Sequence, residues 1–337
     1  MSEIDTSRLE PWLAEHVPGY RGPSRLLPFE GGQSNPTFRL DAASGRYVLR
    51  RKPAGALLAS AHAVDREFRV MRALANTAVP VPHVHALCED TSVIGSAFYV
   101  MDHVEGRILW DARLPGMTPA ERRAVYASMN ATIAALHSVD PASVGLGDFG
   151  RPGNYLSRQI ARWTTQYRAS ETTPIEAMDR LIEFLPQHIP AFDATAIVHG
   201  DFRLDNLLLH PTEPRVVAVL DWELSTLGHP LADFAYHAMA WRLSPDLFRG
   251  LAGTDLATLG IPDEAATVAE YSRRTGQPVP AEFDIYIVFS MFRIAAIMQG
   301  ILKRALDGTA ASQAAMDVGG RARPIAELAW ELARGLQ

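Results

Sequence analysis

Cysteine is almost missing from this chain of 337 residues: Cys88 stands alone, which excludes an internal disulfide framework and fits a reducing compartment. An excess of basic charge is also lacking. Lys and Arg number 32 against 38 Asp and Glu, a formal net charge of -6, so bulk nucleic-acid binding through counterion release has no footing and any phosphate recognition must be local. The opening stretch MSEIDTSRLEPWLAEHV carries acids early and no apolar core of a signal peptide, so the cytoplasm is the expected setting. Internal repeats and low-complexity tracts are absent too. One apolar run, Phe283 to Leu302, approaches the length of a membrane span. Arg293 at its middle and Asp284 near its start would each cost about 2.5–3.5 kcal/mol at a bilayer centre. A buried helix of a globular protein is therefore expected there, with no membrane partner.

What is present is ample apolar material, 47% of the residues, enough for one large domain or two lobes. Thr6 to Val17 has helical spacing, with Leu9, Trp12 and Leu13 on one face. Next, SRLLPFEGGQSNPTFRLDAASGRYVLRRKP alternates short apolar runs with turn residues at Gly31-Gly32 and at Ala43 to Gly45, which predicts strands. Ala61 to Ala75 reads as an amphipathic helix with Val64, Phe68 and Met71 in its stripe. VPVPHVHAL and SAFYVMDHVEG then read as an extended pair, and beyond Gly106 the pattern is mainly helical. The expected fold class is α+β: a small β-rich N-lobe, residues 1–105, followed by a larger α-helical C-lobe, residues 106–337.

The helical half is interrupted once, at HGDFRLDNLLLH (His199 to His210) followed by VVAVLDWE (Val216 to Glu223). Two apolar strands joined through HPTEP predict a hairpin, and a hairpin brings its outer ends together. Asn206 and Asp221 are thereby expected side by side, with Asp201 on the loop just before. Carboxylate and amide oxygens suit Mg²⁺, which keeps several waters and completes its shell with substrate phosphates. A carboxylate slightly apart can accept a proton from a hydroxyl nucleophile. Asp, four residues, Asn, a hairpin and Asp is the layout of metal and base in kinase-type phosphoryl transfer.

These residues resemble the aminoglycoside phosphotransferase family, a branch of the bilobal protein-kinase-like fold. The segments GGQSNPTF, YVLRRKPAGALLASAHAVDREFRV, LDWELSTLGHPLADFAY and FRIAAIMQGI are similar to kinase-like domains fused to acyl-CoA dehydrogenases and to their stand-alone bacterial relatives. With no dehydrogenase sequence following, the stand-alone form is expected. The resemblance implies that Asp201 is the catalytic base and that Asn206 and Asp221 hold Mg²⁺. It also implies ATP in the N-lobe: Gly32, Ser34 and Asn35 at a strand turn near the phosphates, Arg50 in place of the usual strand lysine and paired with Glu67, and backbone around Asp102 to Val104 at the adenine. Lys52 lies on the same side of an ideal strand as Arg50 and is the reserve phosphate ligand. The likeness further suggests that Asp233 braces the catalytic loop, while Arg203 and Asp205 either brace it or touch substrate. Trp222, Glu223 and His229 fit packing or capping as well as chemistry. His83 and His85 flank one valine without a further ligand and read as a surface strand.

The acceptor is a small molecule. RPGNYLSRQIARWTTQYR carries Arg151, Arg158, Arg162 and Arg168 and no acid, with Arg158 and Arg162 one helical turn apart. That pattern suits an anionic, partly apolar acceptor rather than a polycationic antibiotic, and the resemblance to dehydrogenase-fused domains points to a hydroxyacyl-CoA. An antibiotic kinase and a non-catalytic nucleotide-binding module are the two other readings. The chain carries no signal for its oligomeric state.

Overall fold

The structure, a computed structural model, describes residue 4 and residues 6–29, 35–53, 63–309 and 314–336. In chain order its first half comprises α1 (Thr6–His16), β1 (Ser24–Pro28), β2 (Thr37–Ala42), β3 (Gly45–Arg51), α2 (Val64–Leu74), β4 (Val84–Cys88), β5 (Phe98–Asp102), β6 (Arg107–Ile108), α3 (Pro119–His137), α4 (Tyr155–Ser170) and α5 (Glu176–Phe184). The second half comprises β7 (Ala196–Val198), β8 (Leu207–Leu209), β9 (Val216–Val219), β10 (Thr226–Gly228), α6 (Pro230–Ala238), α7 (Pro245–Phe248), α8 (Leu256–Leu259), α9 (Glu264–Thr275), α10 (Phe283–Leu306), α11 (Ala315–Gly320) and α12 (Ala322–Arg334). This is the expected α+β architecture, with the larger sheet near the N-terminus and the helices beyond it.

Among the described residues β1 to β5 form one antiparallel sheet of five strands in the order β1-β2-β3-β5-β4. Strand alternation gives that sheet two different faces. Tyr47 and Leu49 of β3 pack with Leu9 and Leu13 of α1 in one apolar cluster, while Val48 joins Val64, Phe68 and Met71 of α2 in the main core. Arg50 has the parity of Val48 and so points to the α2 side, opposite Tyr99 of β5 in the strand register. The next residue, Arg51, is buried on the other face, with its guanidinium 5.9 Å from the Phe38 ring.

Beyond the sheet, β8 and β9 form the anticipated hairpin with Leu207 opposite Val219 and Leu208 opposite Ala218. β6 adds to its outer edge and β7 pairs with β10. The long apolar run became α10, the one helix among the described residues long and apolar enough to cross a membrane, and 78% of its most apolar stretch is buried against the rest of the chain. Arg293 within it is buried too. α3 begins at a capping box: Thr118 accepts the Glu121 N–H, and the Glu121 carboxylate accepts the Thr118 N–H at 2.7 Å.

α6 is apolar enough to sit in the middle of this half, with Leu231 to Ala238 all buried. His237 is part of it, and burial pushes its pKa down to about 4 from an ordinary 6.5. Between those values the unfolded chain binds a proton that the folded chain refuses, so folding stability falls as pH drops from 6.5 toward 4. That linkage amounts to roughly 3 kcal/mol for a gap of this size. Urea unfolding of wild type and His237→Phe across that range should show the difference between them shrinking as the pH falls; parallel pH profiles would contradict the assignment.

Candidate active site

The site grows from a glycine. Gly200 has a φ of +84°, and a Cβ there would stand 2.7 Å from the Leu224 carbonyl oxygen, so any larger residue would displace the loop. Asp233, at the start of α6 and buried, fastens this turn from below. Its Oδ2 accepts the His199 N–H at 2.7 Å, its Oδ1 accepts the Gly200 N–H at 2.8 Å, and His137 of α3 lies 3.1 Å from Oδ2. Burial alone would raise the Asp233 pKa, but hydrogen bonding and charge from His137, with the His199 contacts, take it below the ordinary carboxylate value. From above, Arg293 of α10 donates through Nη2 to the Gly200 carbonyl at 2.5 Å, its guanidinium 4.7 Å from the Tyr236 ring and 5.4 Å from the Trp163 ring. The His199 ring spans to the far side of the hairpin, with Nε2 2.8 Å from the Leu220 carbonyl oxygen.

Asp201 follows on this fixed turn. Its Oδ2 accepts Asn206 Nδ2 at 2.9 Å and Arg203 Nε at 3.2 Å, and Asn206 Nδ2 also reaches the Asp201 carbonyl at 2.8 Å. The Asn206 amide is thus oriented by its nitrogen, and its Oδ1, without a hydrogen-bond partner among the described residues, is the atom left for a cation. A backbone bond of 2.9 Å from Leu220 N–H to the Asn206 carbonyl sets the two outer ends of the hairpin against each other. Asp221 then turns out of β9 in the left-handed region, φ 63° and ψ 63°.

Asp221 meets Arg50. Nη2 of Arg50 lies 2.6 Å from Asp221 Oδ1, while Nε lies 2.9 Å from Glu67 Oε2 on α2. Glu67 is also held by Asn35 Nδ2 at 2.7 Å and by the Tyr99 hydroxyl at 3.0 Å. Burial raises the Glu67 pKa, against the pull of the Arg50 charge. Lys52 instead faces Asp65 at 3.4 Å, so Arg50 is the strand cation at the hairpin. By chemistry, the amide oxygen of Asn206 and the carboxylate of Asp221, at neighbouring ends of the hairpin, are donors that suit a hard divalent cation.

The other candidate residues make contacts of their own. Asn35 is buried against Glu67 rather than standing open at the sheet edge, and Gly32 and Ser34 lie outside the described residues. Asp102 ends β5 with its carboxylate 2.7 Å from His85 Nε2, and Val104 follows in the connection to β6. Asp205 is buried in ion pairs with Arg249 and, at 3.5 Å, with Arg203, a bracing position. Arg158 departs from the expectation that it meets an acceptor: its guanidinium turns back onto the carbonyls of Gly153 and, at 2.6 Å, Arg151, because the chain enters α4 through a left-handed Asn154 that presents those oxygens. Arg168 is spent on Asp179 at 2.6 Å and Glu171 at 3.3 Å. Arg162 alone of that pair and Arg168 reaches the cavity beside Gly200. Arg66, Arg293 and His137 were not anticipated at the site. The one available signal was Arg293, a charge amid an apolar run that needed a buried partner.

This geometry joins a wider set of proteins. The phosphotransferase enzyme family model matches residues 25–271. The chain belongs to that family. Over 93% of its length it is 50% identical to mouse acyl-CoA dehydrogenase family member 10, and over 98% it is 42% identical to rat acyl-CoA dehydrogenase family member 11. The chain spans only 29% and 44% of those two proteins. A crystal structure from Ralstonia eutropha that carries the name of an aminoglycoside phosphotransferase is 58% identical, with a TM-score of 0.92 and 99% of both chains covered. An aminoglycoside phosphotransferase crystallised with AMP-PNP and hygromycin B shares the fold, at a TM-score of 0.62, 18% identity and 96% coverage of this chain and 98% of that one.

Removing the carboxylate that fastens the loop leaves two buried N–H groups without acceptors, each costing about 1–3 kcal/mol. Asp233→Ala should therefore lose roughly 2–5 kcal/mol in urea unfolding. A loss below about 1 kcal/mol would show that the turn does not depend on Asp233.

Proposed function

We propose that this phosphotransferase family member is a Mg²⁺- and ATP-dependent kinase of a hydroxyl group on a small anionic molecule, with a hydroxyacyl-CoA as the favoured acceptor. The observation that carries the reading is the convergence of Asp201, Asn206 and Asp221 on one edge of the hairpin, with Arg50 tying Asp221 to Glu67. Asn206 and Arg203 both donate to Asp201 Oδ2, which fixes the carboxylate that is assigned to the acceptor hydroxyl. In the transfer, that hydroxyl oxygen forms a bond to the γ-phosphorus, its proton passes to Asp201, and the bond from the γ-phosphorus to the β,γ-bridging oxygen breaks, with ADP leaving. Asn206 Oδ1 and the Asp221 carboxylate would hold Mg²⁺, which when bound supplies charge neutralisation across the β- and γ-phosphates. Arg50 contributes a permanent positive charge there, with its fork engaged by Glu67 and Asp221.

Two things support the acceptor class. Relatives at 50% and 42% identity carry acyl-CoA dehydrogenase names, and a phosphorylated hydroxyl is a better leaving group for a later elimination on an acyl chain. The cavity beside Gly200 has Arg66, Arg162 and Arg293 in its walls against the single carboxylate Glu223, a balance that repels aminoglycoside polycations. A cytoplasmic setting belongs to the same proposal, since ATP and acyl-CoAs are met there.

ADP release with Mg²⁺-ATP against 3- and 4-hydroxyacyl-CoAs, free hydroxy acids, choline and aminoglycosides tests the reading. Turnover on a hydroxyacyl-CoA is expected, falling by about 10²–10⁴ in Asp201→Asn while nucleotide binding persists. Turnover on aminoglycosides alone would overturn the acceptor assignment, and nucleotide binding without turnover on any acceptor would favour a regulatory module.

A further inference from the structure

Between α2, α4, α10 and the segment from Glu223 to Thr226 lies a cavity of about 280 Å³. It is walled by residues from both halves of the molecule: Arg66 on α2, Arg162 and Trp163 on α4, Arg293 on α10, and Gly200, which precedes Asp201. Its size is below that of pockets that enclose whole cofactors or drug-sized ligands, so it suits one charged group on a short stem.

Two of the residues that line it, Arg293 and Trp163, each carry a buried N–H without a hydrogen-bond partner. Arg293 is buried, its Nη2 is committed to the Gly200 carbonyl, and its Nε has no hydrogen-bond partner. Trp163 is also buried, and its Nε1 has no partner. Buried N–H groups left unpaired are rare because each forfeits its hydration without replacement. Arg162 adds an exposed guanidinium, 5.5 Å from the Trp163 ring, that forms no ion pair among the described residues. Arg66 is held by its Nη2 on the Phe149 carbonyl at 2.6 Å and the Ser225 carbonyl at 3.3 Å. Three guanidinium groups in the walls of one small space, against the single carboxylate of Glu223, leave an excess of positive charge that an oxyanion would offset.

We propose that this cavity is an oxyanion site that receives a carboxylate or phosphate carried by the acceptor, an inference that rests on the kinase reading for its source but not for its chemistry. The site stands one residue from Asp201. An anion seated there fixes the acceptor by its charged end while its hydroxyl meets the base, and because Arg66 comes from α2 the same anion draws that helix against α4 and α10. Arg162 is the specificity-determining residue, held by no ion pair among the described residues and resting only against the Trp163 ring.

Calorimetric titration of the nucleotide-free protein with inorganic phosphate at low ionic strength tests the chemistry, using wild type, Arg162→Gln, Arg162→Lys and Arg180→Gln. Arg180 lies on α5, paired with Glu176, and serves as a charge-matched control. Wild type and Arg180→Gln should bind phosphate alike, Arg162→Gln should bind at least about tenfold more weakly, and Arg162→Lys should fall between. No binding by wild type, or equal weakening in Arg180→Gln, would overturn the site. The source is decided by kinetics on whichever acceptor turns over. Phosphate should compete with that acceptor, and Arg162→Gln should raise KM about tenfold or more while kcat stays within about twofold. Phosphate that binds without competing would mark a separate anion ligand and overturn the assignment to the acceptor. If no acceptor turns over, the kinase reading and the acceptor assignment fall together, while the phosphate titration still decides the cavity.

Discussion

The fork of Arg50 between Glu67 and Asp221 is the interaction on which the arrangement depends. One nitrogen reaches α2 at 2.9 Å and another reaches the end of β9 at 2.6 Å, so a single side chain on the sheet joins the helix beside it to the hairpin across the cleft. A lysine ammonium is a point charge and does not present two fixed donors at that spacing. With Arg50 and Glu67 withdrawn from solvent, losing one partner would strand a buried charge, a change that costs about 3–5 kcal/mol in comparable pairs. The arginine is therefore not a defect in a lysine pattern but a residue that can satisfy both carboxylates at once.

The second constraint is the rigidity of the turn from His199 to Asp201. Backbone groups on either side of Gly200 are gripped by Asp233 from α6 and by Arg293 from α10, and the His199 ring pins the turn to the hairpin. The carboxylate of Asp201, proposed to accept a proton, gains from being held by groups whose own positions are fixed by packing, because its orientation is then settled before substrate arrives. The cost is a cluster of buried polar groups at the centre of the C-terminal half, which the structure meets by pairing nearly all of them. Among the exceptions are His237 Nε2, and Arg293 Nε and Trp163 Nε1, whose residues line the cavity next to the turn.

Much of this was legible in the chain itself. The hairpin was set by two apolar runs around a proline-bounded turn, and its closure brings Asn206 opposite Leu220, the residue before Asp221. The parity of β3 put Val48 and Arg50 on one face and left Arg51 to the other. What the chain did not disclose were contacts decided by tertiary approach. Arg66 stands beside Glu67 in sequence, yet a helix turns neighbours through about 100°, so the two serve different surfaces. Arg158 and Arg162 look equivalent by spacing, and only the left-handed entry into α4 shows why one is consumed by carbonyls and the other is not. Asn35, expected near phosphate, is instead buried beside Glu67, a position that depends on where α2 packs.

The central claim is that Asp221 and Asn206 form a cation site coupled to nucleotide. Its most direct test is the affinity for ATP measured with and without Mg²⁺ in wild type and in Asp221→Asn. Mg²⁺ should tighten ATP binding to wild type by about tenfold or more, and that gain should vanish in the variant. Equal ATP affinity with and without Mg²⁺ in wild type, or an undiminished gain in Asp221→Asn, would contradict the account.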